Sequence, residues 1–154
     1  MRIREFTLDD YDAVLALWRQ AGPGVHLRTS DSRAEIAKKQ KRDPDLFLVA
    51  EKDGQLVGTV LGGWDGRRGL AYHLAVDPAY RGRGIGRALM AELERRFRAK
   101  GCLRYYMLVA RDNAAALAFY ERLGYERMDD IVPIGRTLAD YWGPLQDEEG
   151  NSVN

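Results

Sequence analysis

The sequence has little of several features that would place it in other protein classes. Cys102 is the only cysteine among 154 residues, which excludes an internal disulfide and a thiolate zinc site built within one chain. No run approaches the roughly 20 apolar residues needed to span a bilayer, and the N-terminus lacks an apolar signal region. Lys and Arg number 24 against 23 for Asp and Glu, so no global positive field gathers nucleic acid. We therefore expect a cytoplasmic protein that binds no membrane, nucleic acid or metal.

What the sequence does contain is typical of one globular domain. Hydrophobic residues make up 45% and charged residues 31% of the chain, and its length fits a single core. Periodicity and turn signals predict the order β-α-α-β-β-β-α-β-α-β-β, an α/β class. We expect residues 1–142 to form the domain and residues 143–154, which are acidic, to form a flexible tail.

Local signals set the expected boundaries of the first half. Thr7 and Asp10 resemble a capping box for a helix over about 8–20. Ser30 or Asp31 is the expected cap of a second helix. Asp53-Gly54 predicts a tight hairpin turn, because glycine tolerates a positive φ.

The second half is predicted from apolar spacing. Apolar residues recur every four positions along 85–97, which predicts an amphipathic helix. A strand over 103–110 and a helix that begins after Asp112 or Asn113 follow, and a final pair of strands is expected around 125–138.

Three antiparallel strands are predicted around the Asp53-Gly54 turn, the third at 70–76, and a glycine- and arginine-rich segment joins that strand to the amphipathic helix. The helix N-terminus offers unpaired amide groups, and glycines let a phosphate reach them, so the segment predicts a diphosphate site with arginines at its rim. The alternative is that the glycines only make a tight turn. A dinucleotide-binding loop would need glycine where Arg87 stands, and no Gly-Lys-Ser or Gly-Lys-Thr of a Walker loop is present. The expected phosphate-binding residues are Arg81, Gly82, Arg83, Gly84, Ile85, Gly86 and Arg87.

Two motifs carry a resemblance to a known family. Arg81, Gly84 and Gly86 occupy every fixed position of the pattern Arg/Gln-x-x-Gly-x-Gly/Ala. A second pattern is matched by Asn113, Ala116, Phe119, Tyr120, Gly124 and Tyr125. The chain thus resembles the GNAT superfamily of acyl-CoA-dependent N-acetyltransferases, and within it the bacterial acetyltransferases of the YpeA type.

The resemblance implies a fold, a co-substrate and site residues. The fold is the GNAT fold, a mixed and mostly antiparallel sheet of six to seven strands flanked by about four helices. Acetyl-CoA is the implied co-substrate, whose arm would lie between splayed strands at 70–76 and 103–110. Backbone groups of Leu74, Ala75 and Val76 would contact that arm. Asn113 would cap its helix and also touch the cofactor.

The resemblance also implies direct attack of a primary amine on the thioester, with Tyr120 as the general acid for the departing thiolate. Some family members carry a glutamate base where this chain has Leu108. The proton acceptor therefore stays open between His73, His26 and a water relay.

The sequence leaves the acceptor and the acyl group open, with acetyl as the default. A non-catalytic acyl-CoA sensor or interaction module of the same fold is the alternative function, motivated by the missing carboxylate. A homodimer is compatible with the resemblance.

Overall fold

The computed structural model describes residues 1–22 and 24–153, which form five strands and four α-helices. Three short 3-10 turns lie at Leu8–Asp10, Thr29–Asp31 and Pro78–Tyr80. Within the described residues, no helix is both long and apolar enough to cross a membrane. In chain order the elements are β1 (Arg2–Glu5), α1 (Tyr11–Gln20), α2 (Arg33–Arg42), β2 (Phe47–Lys52), β3 (Gln55–Trp64), β4 (Gly69–Val76), α3 (Ile85–Ala99), β5 (Tyr105–Met107) and α4 (Ala114–Arg122).

The five strands form one sheet in the order β1-β2-β3-β4-β5. The first four are antiparallel neighbours, whereas β5 pairs parallel to β4. One face of the sheet packs against α1 and Ile36 of α2. The other face packs against α3. This layering leaves β5 at the edge, where it borders the site described below.

The predicted hairpin and amphipathic helix are confirmed. Asp53 and Gly54 have φ of 52° and 76°, the two positive values that a type I′ turn requires. On α3, the side chains of Ile85, Leu89, Leu93 and Phe97 are no more than 3% exposed. Burying such side chains stabilises the fold by about 1.5–3 kcal/mol each, so α3 is held by its apolar stripe.

The first helix cap is confirmed and the second is corrected. The Asp10 carboxylate accepts from the Thr7 backbone N–H at 2.9 Å. The cap of α2 is Ser32, whose hydroxyl accepts from Glu35 N–H, and not Ser30 or Asp31. Asp31 lies in a 3-10 turn, where its carboxylate is used for other contacts.

The expected sheet of six to seven strands is wrong, because the described residues form five. In the described part of the chain after α4, which ends at residue 153, there is no strand: residues 129–142 are exposed, and Leu138 is 93% exposed. Pro133 and Gly135 interrupt the segment that was expected to pair, since proline cannot donate to a ladder and glycine weakens a strand. The strand expected over 103–110 is also shorter, with β5 limited to Tyr105–Met107.

The segment after residue 142 contacts the body of the protein at its start. Leu145 is 4% exposed and belongs to the core beside α1. The Thr29 N–H donates to the Gly143 carbonyl at 3.1 Å, and an isolated bridge joins Arg28 to Pro144. The chain is therefore anchored here, while flexibility of the residues beyond stays a prediction.

Candidate functional site

The two strands that border the site separate after three paired residues. β4 pairs with β5 only at Gly69, Leu70 and Ala71, yet β4 continues to Val76. Along residues 72–76, β4 therefore has no strand on its outer side within the described chain. The splayed strands implied by the resemblance are present, and they leave backbone groups of β4 free to bind an extended arm.

A bulge in β4 lies at this separation. Thr59 pairs with Ala75 and Leu61 with Tyr72, so three steps along β4 match two along β3. His73 carries the irregularity with φ of 51°, a conformation that is uncommon for a residue with a side chain. The extra residue turns the His73 side chain to the same face as Tyr72 and explains why simple alternation could not place it.

The segment after β4 leads directly into α3. Gly82 and Gly84 have φ of 72° and 78°, and Gly84 is the N-cap of α3 without a side-chain cap bond. The Ala88 N–H donates to the Gly84 carbonyl at 3.0 Å. Among the described residues, the amides of 82–87 have no backbone acceptor outside the helix, which leaves several N–H groups at its positive end for an anion.

The three arginines of this loop have different surroundings. The Arg81 guanidinium donates to the Val76 carbonyl at 3.2 Å and the Ala21 carbonyl at 2.6 Å. These contacts brace the loop against the end of α1, and a role of Arg81 in phosphate binding stays a prediction. The Arg83 guanidinium lies 5.2 Å from the centre of the Tyr80 ring. Arg87 is exposed on the first turn of α3.

The Asn113 cap is confirmed, and it begins α4 close to the first loop. Its Oδ1 accepts from the Ala116 N–H at 3.2 Å. Its amide nitrogen faces Gly24, where an added Cβ would lie 2.9 Å away. Gly24 therefore permits a close approach between the loop after α1 and the start of α4.

Tyr120 lies on α4 in an apolar setting. Its ring packs edge-on against Phe119 and Tyr125, with centroids 5.2 and 5.4 Å away. Burial raises the pKa of Tyr120 to about 12. Phe119 in turn packs on Gly86, where a Cβ would lie 3.2 Å from the ring. Phe119 thus lies between the Tyr120 ring and the first turn of α3, and burial keeps Tyr120 a neutral phenol at ordinary pH.

A half-buried cluster of two tyrosines and a glutamate lies beside this region. Glu94 Oε1 accepts from the Tyr105 hydroxyl at 2.8 Å and from the Tyr125 hydroxyl at 2.7 Å. Burial is the largest cause that raises the pKa of both phenols, and the hydrogen bonds to Glu94 also raise it. The cluster joins α3 and β5 to Tyr125, which lies three residues after the end of α4 and contacts the Tyr120 ring edge-on.

The structure brings together a pair of side chains that the sequence did not connect. His73 Nε2 lies 2.7 Å from Asp31 Oδ1, and Asp31 is 3% exposed. The second carboxylate oxygen accepts from the Arg28 N–H at 2.8 Å. The Trp18 ring meets the His73 imidazole edge-on at 4.8 Å. Asp31 was missed as a partner because it is 42 residues from His73, and its local pattern resembles a helix cap.

His26, which stays open as the proton acceptor, and the side chains of Leu108 and Cys102 have other surroundings. Leu108 is 64% exposed just beyond β5 and contributes no carboxylate. His26 is exposed and lines a cavity of about 330 Å³ beside Trp18. Cys102 is half-buried, and its thiol donates to the Arg104 carbonyl. Within residues 1–22 and 24–153, no group of three or more His, Cys, Asp or Glu side chains could hold a metal ion.

Comparisons with known proteins agree on the family. The pattern of the acetyltransferase (GNAT) family matches residues 11–125. An acetyltransferase of Pectobacterium atrosepticum is 45% identical over 140 residues, which cover 91% of this chain and 97% of that relative. The crystal structure of Ard1 from Thermoplasma volcanium has a TM-score of 0.71 and 27% identity, and covers 80% of both chains.

The PaiA N-acetyltransferase of Thermoplasma acidophilum, solved in complex with coenzyme A, has a TM-score of 0.73 at 22% identity, covering 83% of this chain and 91% of that one. At this identity the likeness shows the fold alone. The separating strands, the uncapped helix start and the matched family pattern give one conclusion: this chain belongs to the GNAT family of acetyltransferases.

Proposed function

We propose that the protein is an N-acetyltransferase that passes an acetyl group from acetyl-CoA to a primary amine by direct attack on the thioester. The observation that carries the proposal is the continuity of two binding surfaces. The unpaired edge of β4 ends at Val76, and the uncapped amides of 82–87 begin a few residues later. An extended arm and a diphosphate, joined as in coenzyme A, match this order of surfaces.

The residues present fit acetyl-CoA. Backbone groups of Leu74, Ala75 and Val76 would pair with the amides of the pantetheine arm, as an added strand would. Amides of 82–87 would bind the diphosphate, with Arg83 and Arg87 beside it. Asn113 keeps its Oδ1 on the helix cap, so its amide group is the part left for the cofactor arm.

In the proposed reaction the amine nitrogen forms a bond to the acetyl carbon, and the carbon–sulfur bond breaks. An N–H of β4 aimed at the carbonyl oxygen would stabilise the negative charge that develops there. The Tyr120 hydroxyl would give its proton to the departing thiolate. Burial raises the pKa of Tyr120 to about 12, so the phenol carries the proton at ordinary pH that this role requires.

His73 and Asp31 are the proposed route for the proton that the ammonium group must lose. With Nε2–H donating to the buried Asp31 carboxylate, Nδ1 carries the lone pair that can accept a proton. The carboxylate would also stabilise the imidazolium that forms. The positive φ of His73 supports this role, because such backbone conformations are enforced by their surroundings and cluster at active sites.

The test is a calorimetric titration with acetyl-CoA, followed by a CoA-release assay with a panel of primary amines. We expect binding, and amine-dependent CoA release above the rate of thioester hydrolysis. Binding without amine-dependent release would contradict the transferase proposal and favour the alternative of a non-catalytic acyl-CoA sensor.

A further inference from the structure

A cavity of about 330 Å³ lies between the end of α1, the loop after it and the C-terminal segment. Its apolar side is formed by Trp18, Val25, Leu27 and Pro144. The bridge between Arg28 and Pro144 and the burial of Leu145 fix the C-terminal side of this cavity. The volume lies at the lower end of the range for small-molecule sites, so it suits a ligand of the size of an amino acid.

The cavity adjoins the reaction site through Trp18. The Trp18 indole N–H donates to the Thr59 hydroxyl at 2.9 Å, and that hydroxyl donates to the His73 carbonyl at 3.2 Å. The same indole meets the His73 ring. A molecule in the cavity would therefore be one aromatic ring away from the proposed proton acceptor.

The polar side of the cavity is cationic. Arg19, His26 and Arg28 line it, and no Asp or Glu does. Six of the 19 arginines have a carboxylate within 4.0 Å: Arg4, Arg33, Arg95, Arg96, Arg98 and Arg127. Among the described residues, neither Arg19 nor Arg28 has one. Two guanidinium groups without a carboxylate partner around a concavity attract an anionic group and repel a cationic one.

We infer that the acceptor of this enzyme is a small primary amine that also carries an anionic group, a carboxylate or a phosphate. The anionic group would contact Arg19 and Arg28, and the amine would lie at the end of the cavity formed by Trp18, whose ring contacts His73. This inference rests on the proposed function and narrows its acceptor class. Polycationic amines, which lack such a group, would be poor acceptors.

The test uses matched pairs of amines at fixed acetyl-CoA, with CoA release as the readout. Glycine against glycinamide tests the carboxylate, and O-phosphoethanolamine against ethanolamine tests the phosphate. We expect the anionic member of at least one pair to have a kcat/KM about tenfold higher, and the pair that shows it identifies the anion. Equal values within both pairs, or a preference for spermidine, would overturn the inference.

A double variant, Arg19→Gln with Arg28→Gln, tests the residues. It should lower kcat/KM for the anionic member to about that of the neutral member, while the affinity for acetyl-CoA stays unchanged. Arg2→Gln with Arg136→Gln is the matched control, since both arginines are exposed outside the cavity. An unchanged preference in the Arg19 and Arg28 variant would refute their role.

A binding readout separates this inference from the proposed function. Calorimetric titration of glycine and O-phosphoethanolamine into the acetyl-CoA complex should show heat of binding that the double variant lacks. Such binding without CoA release would keep the anionic site and refute the transferase. CoA release from neutral amines with no anion binding would keep the transferase and refute the site.

Discussion

Replacing Tyr120 by phenylalanine removes one hydroxyl from the proposed site and leaves the ring. The ring contacts with Phe119 and Tyr125 can stay, so the fold should be preserved. If the hydroxyl gives its proton to the departing thiolate, the variant loses a hydrogen bond to a charged group, worth about 1.5–3 kcal/mol. That loss corresponds to a fall in kcat of about 10- to 160-fold, with little change in the affinity for acetyl-CoA.

The pH dependence sharpens this prediction. Burial raises the pKa of Tyr120 to about 12, so the phenol keeps its proton below that pH. At about pH 8 only about one phenol in ten thousand is ionised. The ratio of wild-type to variant kcat should therefore stay constant between about pH 7 and 10.

Steady-state CoA release over this pH range, with calorimetry for acetyl-CoA, measures both quantities. Tyr106→Phe is the control, because Tyr106 lies on the edge strand and contacts Arg68 and Arg104, away from α4. An unchanged kcat in the Tyr120 variant would refute the acid role. A ratio that falls towards one near pH 8 to 9 would refute the reasoning from burial.

Three further predictions concern the proton acceptor, the phosphate loop and the core. His73→Gln should lower kcat/KM by about 100-fold near pH 7. The loss should be smaller at higher pH, because the amine is already deprotonated there. A loss that does not change with pH in CoA-release assays would argue against a proton-accepting role. Gly84→Glu should abolish detectable acetyl-CoA binding by calorimetry. Gly84→Ala carries only the cost of a side chain at φ 78°, so it should destabilise the fold by about 1–2 kcal/mol and bind acetyl-CoA more weakly. Normal binding by the glutamate variant would refute the loop assignment. Gly62→Ala should lower the free energy of unfolding by about 1–3 kcal/mol in urea denaturation, because its Cβ would lie 2.6 Å from Leu93 Cδ1. An unchanged free energy of unfolding would mean that α3 can shift at no cost.

Local signals predicted much of the fold. The four-residue spacing on α3 and the Asp53-Gly54 turn act over a few residues, and both have the predicted structure. The glycine-rich loop was also predicted as the start of α3. Glycine adopts a positive φ without steric cost, and this local property does not depend on distant segments.

Features set by contacts between distant segments were not predicted. The bulge at His73 depends on how β4 pairs with β3, and alternation along one strand does not reveal it. The Asp31 contact with His73 joins two segments 42 residues apart. The apolar residues of 131–138 suggested strands, but whether they pair depends on an adjacent edge and on Pro133, and not on their hydrophobicity.

Binding of the diphosphate by the amides at the start of α3 is the central claim, and a calorimetric cycle tests it most directly. Acetyl-CoA and S-acetylpantetheine, which lacks the diphosphate and the nucleotide, are titrated into the wild type and the Gly84→Glu variant. Two hydrogen bonds to the charged diphosphate, worth about 3 kcal/mol in all, predict that the wild type binds acetyl-CoA about 100-fold more tightly. The variant should lose this preference and keep its affinity for S-acetylpantetheine. Equal affinities of the wild type for both ligands, or no heat with acetyl-CoA at roughly millimolar concentration, would contradict the claim.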